Sequence, residues 1–199
     1  EGAGGRGSES GPRTEGGHAA RGGGVAAVAR RTALAEGEGD RGGGDAGRSV
    51  GGIGSSTVDT ENGVVTHYRD GDGVGETELL EDAARVVTAW TRARQVLGGE
   101  AYTTVATSVA DNALETLGGD GAFHDGPAAG EGLCDRPLRP IDTGTEFAAG
   151  LLDLAAITGD GRYRDAATDA LEAFARAWAR PGVQVAHYGT LAPRLPGGA

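Results

Sequence analysis

Four side chains of this chain combine acid–base chemistry with a defined place beside predicted helices. His124 and Asp125 are adjacent in a segment rich in Gly and Pro, whereas Asp82 and Glu146 lie near the starts of two predicted helices. Two acids can divide the general-acid and general-base roles of a hydrolysis, and a histidine can shuttle a proton near neutral pH. His124, Asp125, Asp82 and Glu146 are therefore the candidate catalytic residues.

Two of these acids also have structural interpretations. Thr143 followed by Glu146 is a capping-box signature, which favours a role for Glu146 at a helix start. Asp82 falls in the predicted first turn of a helix, where a carboxylate interacts favourably with the helix dipole. His67 belongs to a short extended segment and is a weaker candidate.

Metal and cofactor chemistry finds little support in the sequence. The run that begins at Asp70 and Asp72 resembles a calcium loop, but its fifth position is Val74 and no helix pattern precedes it. Cys134 is the single cysteine, which excludes an internal disulfide and supports neither metal binding nor redox work. We predict no bound metal and no cofactor.

Helical periodicity organises the chain from residue 79 onward. Residues 79–97 and 101–117 carry apolar side chains at steps of three and four and predict a first helical hairpin. Residues 143–180 predict a second hairpin, in which Gly159 is suited to a left-handed C-cap. A shift of 61 residues superimposes the two patterns, placing Tyr102 on Tyr163. The sequence therefore predicts an all-α repeat architecture, either an α/α-toroid or an α-solenoid.

Two non-helical segments flank these patterns. Residues 1–60 are rich in Gly and Arg with almost no large apolar residues, so we expect a disordered segment rather than a packed domain. Residues 120–142 form a long connection between the hairpins, and long connections are often functional. After a break at Pro181, residues 183–191 predict a short further helix. The start at Glu1 and the absence of Met predict a fragment of a longer protein.

The charge composition limits the classes of partner that the chain is expected to bind. The net charge is −11, and all 18 basic residues are Arg. Such an acidic surface repels phosphate backbones, which argues against nucleic-acid binding, and no apolar run approaches the length of a membrane span. Many acids, no Lys and abundant Ala, Val and Thr predict a cytoplasmic protein of a salt-loving prokaryote. The alternative is an ordinary acidic protein whose codon usage favours Arg. The oligomeric state is open.

The order of several motifs resembles the C-terminal part of the spermatogenesis-associated/YyaL-type thioredoxin-domain proteins. The matching residues cover about two thirds of the chain: His67 and Tyr68 with residues 70–73, residues 79–83, residues 121–125, Arg136 and Pro137 with Asp142, and residues 154–163. Relatives usually carry Asn where this chain has Gly144, and the family's thioredoxin-like domain has no counterpart here.

The resemblance implies a six-hairpin toroid similar to those of N-acylglucosamine 2-epimerases and glycosidases. In that case the four candidate residues would gather at the mouth of a cavity that holds a small sugar-like molecule, and the activity would be carbohydrate-related. The alternative is a non-catalytic helical-repeat module that serves interaction or scaffolding. Convergence of the four side chains would favour the cavity, and scattering would favour the module.

Overall fold

Helices make up most of the residues that the structure describes, as the periodicity predicts. The computed structural model describes residues 57–70, 73–75, 77–127, 137–175 and 186–195, and in this part the fold is all-α with three short pairs of strands. The helices are α1 (Leu80–Leu97), α2 (Glu100–Thr116), α3 (Ile141–Thr158), α4 (Gly161–Ala175) and α5 (Ala186–Leu191), and α5 continues into a 3-10 turn, Ala192–Arg194.

The internal repeat is confirmed at the level of helix boundaries. α3 begins 61 residues after α1, and α4 begins 61 residues after α2. Tyr102 and Tyr163 are each the third residue of the second helix of a hairpin. Both hairpins turn at glycines with positive φ, and Gly159 adopts the predicted left-handed C-cap at φ 74°.

The two first helices pack side by side and run parallel. Gly150 in the middle of α3 faces the middle of α1, where a Cβ on Gly150 would lie 3.1 Å from Val87 Cγ1. Toward the helix starts, Glu146 lies within electrostatic reach of Glu81 and Arg85. Stacked hairpins are expected to place their first helices side by side and parallel, each followed by a second helix that runs back. Closure of the hairpins into a toroid stays a prediction.

One apolar core joins the two hairpins. Leu80, Phe147, Leu151 and Tyr163 are among its largest fully buried side chains. Trp90, assigned to the core from its helical spacing, is 2% exposed, which confirms that prediction. Ten of the eighteen residues of α1 are buried, and this helix is the centre of the packing because it contacts both α2 and α3.

The predicted capping box at the start of α3 is wrong. The helix begins at Ile141 with Pro140 at the N-cap, and no side chain caps it. Thr143 is therefore inside the first turn, and its spacing to Glu146 is that of two helical residues. Because Pro supplies a fixed φ and lacks an N–H that would need a partner, it suits this entry position. Glu146 therefore does not form a capping box with Thr143.

The short strands fasten the loops to the helices. They pair as β1 (Val58–Asp59) with β2 (Val64–Val65), β3 (Arg69–Asp70) with β4 (Gly73–Val74), and β5 (Gly118–Gly119) with β6 (Ala122–Phe123). β1 corrects the predicted boundary at residue 60, because Val58 is buried in the core. In β6, Phe123 packs edge-on against Phe147 with ring centroids 4.8 Å apart.

Other sequence predictions fall outside the described residues. These include residues 1–56, most of the acidic turn after Asp70, Cys134 and Trp178. Among the helices that the structure does describe, none has the length and apolar character needed to cross a membrane.

Candidate functional site

A cavity of about 470 Å³ opens between α1, α3 and the α5 segment. Its size falls within the range of small-molecule sites, which is roughly 300–1,000 Å³. Its lining is mostly polar or charged, with a few small and apolar residues: Thr88, Arg92, Glu146, Ala149, Gly150, Asp153, His187, Thr190, Leu191 and Arg194.

α3 supplies one wall of the cavity through a single helical face. Glu146, Ala149, Gly150 and Asp153 follow the spacing of three and four that places side chains in line. Glu146 and Asp153 are seven residues apart, about 10 Å along the helix axis. The wall thus carries two carboxylates with small residues between them, which leaves room for a ligand between the acids.

Basic side chains from both neighbouring elements flank these two carboxylates. Near Glu146, Arg85 of α1 and His187 of α5 are the positive or protonatable groups within electrostatic reach. Near Asp153, Arg194 Nη2 forms an ion pair with Asp153 Oδ1 at 2.6 Å, and Arg92 of α1 lines the same end of the cavity. The site therefore has two charged ends.

Hydroxyl and small groups occupy the space between these charged ends. Thr88 on α1 and Thr190 on α5 line the cavity together with Gly150 on α3. Thr88 Oγ1 is buried without a hydrogen-bond partner, and a Cβ on Gly150 would come within 3.3 Å of it. Glycine at position 150 therefore keeps the floor of the cavity open and lets α1 and α3 approach each other closely.

Burial sets the ionisation of Glu146. Removal of its carboxyl from water raises the pKa of Glu146, and the nearby Glu81 and Asp142 raise it further. Arg85 and His187 act in the opposite direction without cancelling the effect. A carboxyl with a raised pKa in a cavity is suited to give a proton to a bound molecule.

Within the part of the chain that the structure describes, the α5 segment is held to the body by few contacts. Leu191 is the one buried residue of α5, and Arg194 anchors the 3-10 turn through Asp153. Burying a leucine contributes about 1.5–3 kcal/mol, and a partly exposed ion pair contributes about 0–1 kcal/mol. A six-residue helix is not stable alone. The α5 segment is therefore the outer wall of the cavity and the least firmly held helix of the described chain.

Asp82 lies in a different arrangement, together with His67. His67 Nδ1 and Asp82 Oδ2 are 2.7 Å apart, and the Asp82 side chain is 8% exposed. Asp82 occupies the first turn of α1, as its structural interpretation predicts. This pair joins the segment after β2 to the start of α1 and does not line the cavity.

His124 and Asp125 hold the loop before α3. Arg139 Nε donates to His124 Nε2 at 3.1 Å, and the Leu138 backbone N–H donates to Asp125 Oδ1 at 2.8 Å. The backbone of Asp125 also bonds Leu138 and accepts from Leu80 N–H at the start of α1. These contacts fasten the two ends of the inter-hairpin loop to each other and to the first hairpin.

The four candidate residues therefore fall into three arrangements rather than one. Glu146 lines the cavity, Asp82 pairs with His67, and His124 and Asp125 fasten the loop. Sequence reasoning missed Asp153, Arg194 and, as a site residue, His187. The seven-residue spacing of Asp153 from Glu146 was a usable signal, because it places both acids on one helical face.

Comparison with known proteins gives no family assignment. A scan against protein-family models finds no match, and a search of the curated proteins finds none either. The function is therefore inferred from the cavity and from the motifs in the sequence.

Proposed function

We propose that this chain binds a small sugar-like molecule in the cavity between α1, α3 and α5, with Glu146 as the proton-donating group. The observation that carries the proposal is Glu146 itself, a carboxyl whose pKa is raised by burial in a cavity of about 470 Å³. The carbohydrate-related activity implied by the sequence motifs agrees with such a site.

The lining suits a polyhydroxylated ligand better than an apolar one. Carboxylates, guanidinium groups and hydroxyls on three sides offer both hydrogen-bond donors and acceptors. Planar charged side chains such as Asp153 and Arg194 can each contact two neighbouring hydroxyls of one sugar ring. Glu146 lies at the other end of the cavity, where it can protonate a ring substituent.

The test is binding of N-acetyl-D-glucosamine and D-glucose to the full chain, followed by nuclear magnetic resonance. We expect shifts at Ala149, Gly150 and Thr190, and weaker binding for Glu146→Gln. The matched control is Glu172→Gln, which removes an exposed acid from α4. Absence of shifts with either sugar, or equal binding by both variants, would count against the proposal.

Catalytic turnover is measured separately from sugar binding. Sugar epimerisation in deuterium oxide introduces deuterium at the epimerised carbon, and glycoside hydrolysis releases a free reducing sugar. Glu146→Gln should abolish whichever turnover is found, whereas His124→Ala should retain it, because His124 lies in the loop contacts and not in the cavity.

The second candidate function is a non-catalytic interaction module of helical repeats. It is favoured by the positions of Asp82, His124 and Asp125, which have partners within the fold and do not converge on the cavity. If neither sugar binds and no turnover is detected, this second function accounts better for the molecule.

A further inference from the structure

We propose that the α5 segment, residues 186–194, is a strap that closes the cavity when Glu146 is uncharged and opens it when Glu146 is ionised. The proposal concerns access to the cavity and holds for any small molecule that enters it. The α5 segment forms one wall of the cavity through His187, Thr190, Leu191 and Arg194, and Glu146 lies on the α3 wall of the same cavity.

The α5 segment is weakly attached to the rest of the described fold. Four of the six residues of α5 are exposed, Tyr188 is half-buried, and Leu191 alone is buried. The Arg194–Asp153 ion pair is the hydrogen-bonded anchor of the segment on α3. Elements with so few buried contacts open far more often than the core around them.

Closure of the α5 segment is coupled to the charge of Glu146. The groups that face Glu146 are Glu81 and Arg85 from α1, Asp142 from α3 and His187 from α5. Desolvation is the largest influence on its pKa and outweighs the attraction of the two basic groups. Because α5 walls the cavity from outside, its departure admits water to the carboxyl and favours the ionised form.

The sign of the pH effect follows from that coupling. A carboxyl whose pKa is raised in the closed state stabilises closure while it stays protonated. Closure is therefore favoured most below the pKa that Glu146 has in the open state, and the preference is lost as pH rises through the raised pKa of the closed state. His187 opposes this trend, since its attraction for an ionised Glu146 holds the strap down.

The experiment measures amide hydrogen exchange of Leu191 and Thr190 by nuclear magnetic resonance across the titration of Glu146. Rates are expressed as protection factors, which remove the intrinsic pH dependence of exchange. The protection factor of Leu191 should fall as pH rises, by up to about tenfold for each unit by which closure raises the pKa of Glu146. Amides of Ala106 and Ala110 in the buried face of α2 are the internal reference.

Three variants test whether the ionisation of Glu146 controls the opening of the strap. Glu146→Gln should keep the high protection of Leu191 at every pH, and Glu172→Gln should behave like the unmodified chain. His187→Asn should still show the fall, because Glu146 is the switching group. A flat profile in the unmodified chain, the same fall in Glu146→Gln, or loss of the fall in His187→Asn would each overturn the proposal.

Discussion

Tyr163 donates its hydroxyl to Asp111 Oδ1 at 2.9 Å and so joins α4 of the second hairpin to α2 of the first. The two residues are 52 positions apart, and Tyr163 is almost wholly buried at 1% exposure. Arg162 lies over the Tyr163 ring and 3.7 Å from the same carboxylate oxygen. This contact connects α2 and α4, the second helices of the two hairpins, whereas α1 and α3 provide the apolar packing between the repeats.

Replacing Tyr163 by Phe should destabilise the fold by about 1–2 kcal/mol, because it removes a hydrogen bond to a charged group. Urea unfolding measures the change. The matched control is Tyr102→Phe at the repeat-equivalent position of α2, where the structure shows no such partner among the described residues; we expect a change within about 0.5 kcal/mol. Equal effects at both positions would show that the Asp111 contact contributes nothing specific.

The same tyrosine predicts an alkaline weakening of the fold. Burial and the hydrogen bond to Asp111 raise the pKa of Tyr163. Its stabilising contribution is fully present below the unfolded pKa of about 10 and is lost as pH rises through the folded value. Unfolding midpoints measured on both sides of pH 10 should therefore fall less steeply for Tyr163→Phe than for the unmodified chain.

Gly144 should resist substitution because Phe174 occupies the space beside it. A Cβ at position 144 would lie 2.7 Å from Phe174 Cζ. Gly144→Ala should therefore cost about 1–3 kcal/mol through overpacking, and combining it with Phe174→Leu should recover part of that cost. Gly161→Ala, where a Cβ meets nothing within 4 Å, should be neutral or slightly stabilising. Purely additive costs in the double variant would exclude the steric explanation.

The His67–Asp82 pair should be structural. His67→Ala leaves the buried Asp82 carboxylate without its partner, so we expect a loss of about 1–3 kcal/mol in the free energy of unfolding. His124→Ala should change it by about 0.5 kcal/mol or less, because its partner Arg139 has a 40% exposed side chain. Thermal unfolding compares the two, and a larger effect at His124 would contradict this assignment.

Glu146 should make the fold less stable at neutral pH than a neutral isostere does. Since burial raises the pKa of Glu146, the fold favours its protonated form. That contribution is fully present below the unfolded pKa and disappears as pH rises through the folded one. Glu146→Gln should therefore be the more stable protein at pH 7, by at most about 1 kcal/mol because solvent screens the partly exposed group. The difference should vanish in acid, and chemical unfolding at both pH values checks it.

Local patterns were sufficient to predict the helices. The apolar periodicity and the glycine turns led to helices that begin at Leu80 and Ile141, close to the expected starts. They also predicted the 61-residue repeat and the left-handed conformation of Gly159. The helices and the Gly159 cap depend on residues within one or two helical turns, and the repeat follows from comparing two such local patterns.

The contacts around the cavity join residues that are far apart in the sequence, so most of them could not be predicted from sequence spacing. Asp153 and Arg194 are 41 positions apart, and no helical period relates them. The spacing of Thr143 and Glu146 favours a capping role for this candidate catalytic residue, but the helix begins earlier, after Pro140, and Glu146 lines the cavity. The family resemblance grouped His124, Asp125 and Asp82 with it, whereas packing gives each of them a separate partner.

The central claim is that the Glu146 carboxyl meets a bound sugar-like molecule in the cavity. Titration of its carboxyl carbon by nuclear magnetic resonance, with and without N-acetyl-D-glucosamine, tests that claim directly. We predict a pKa above the ordinary glutamate value of about 4.3 that changes when the sugar is added, while the backbone amide resonance of the exposed Glu172 does not respond to the sugar. An ordinary pKa for Glu146 that the sugar leaves unchanged would contradict the claim.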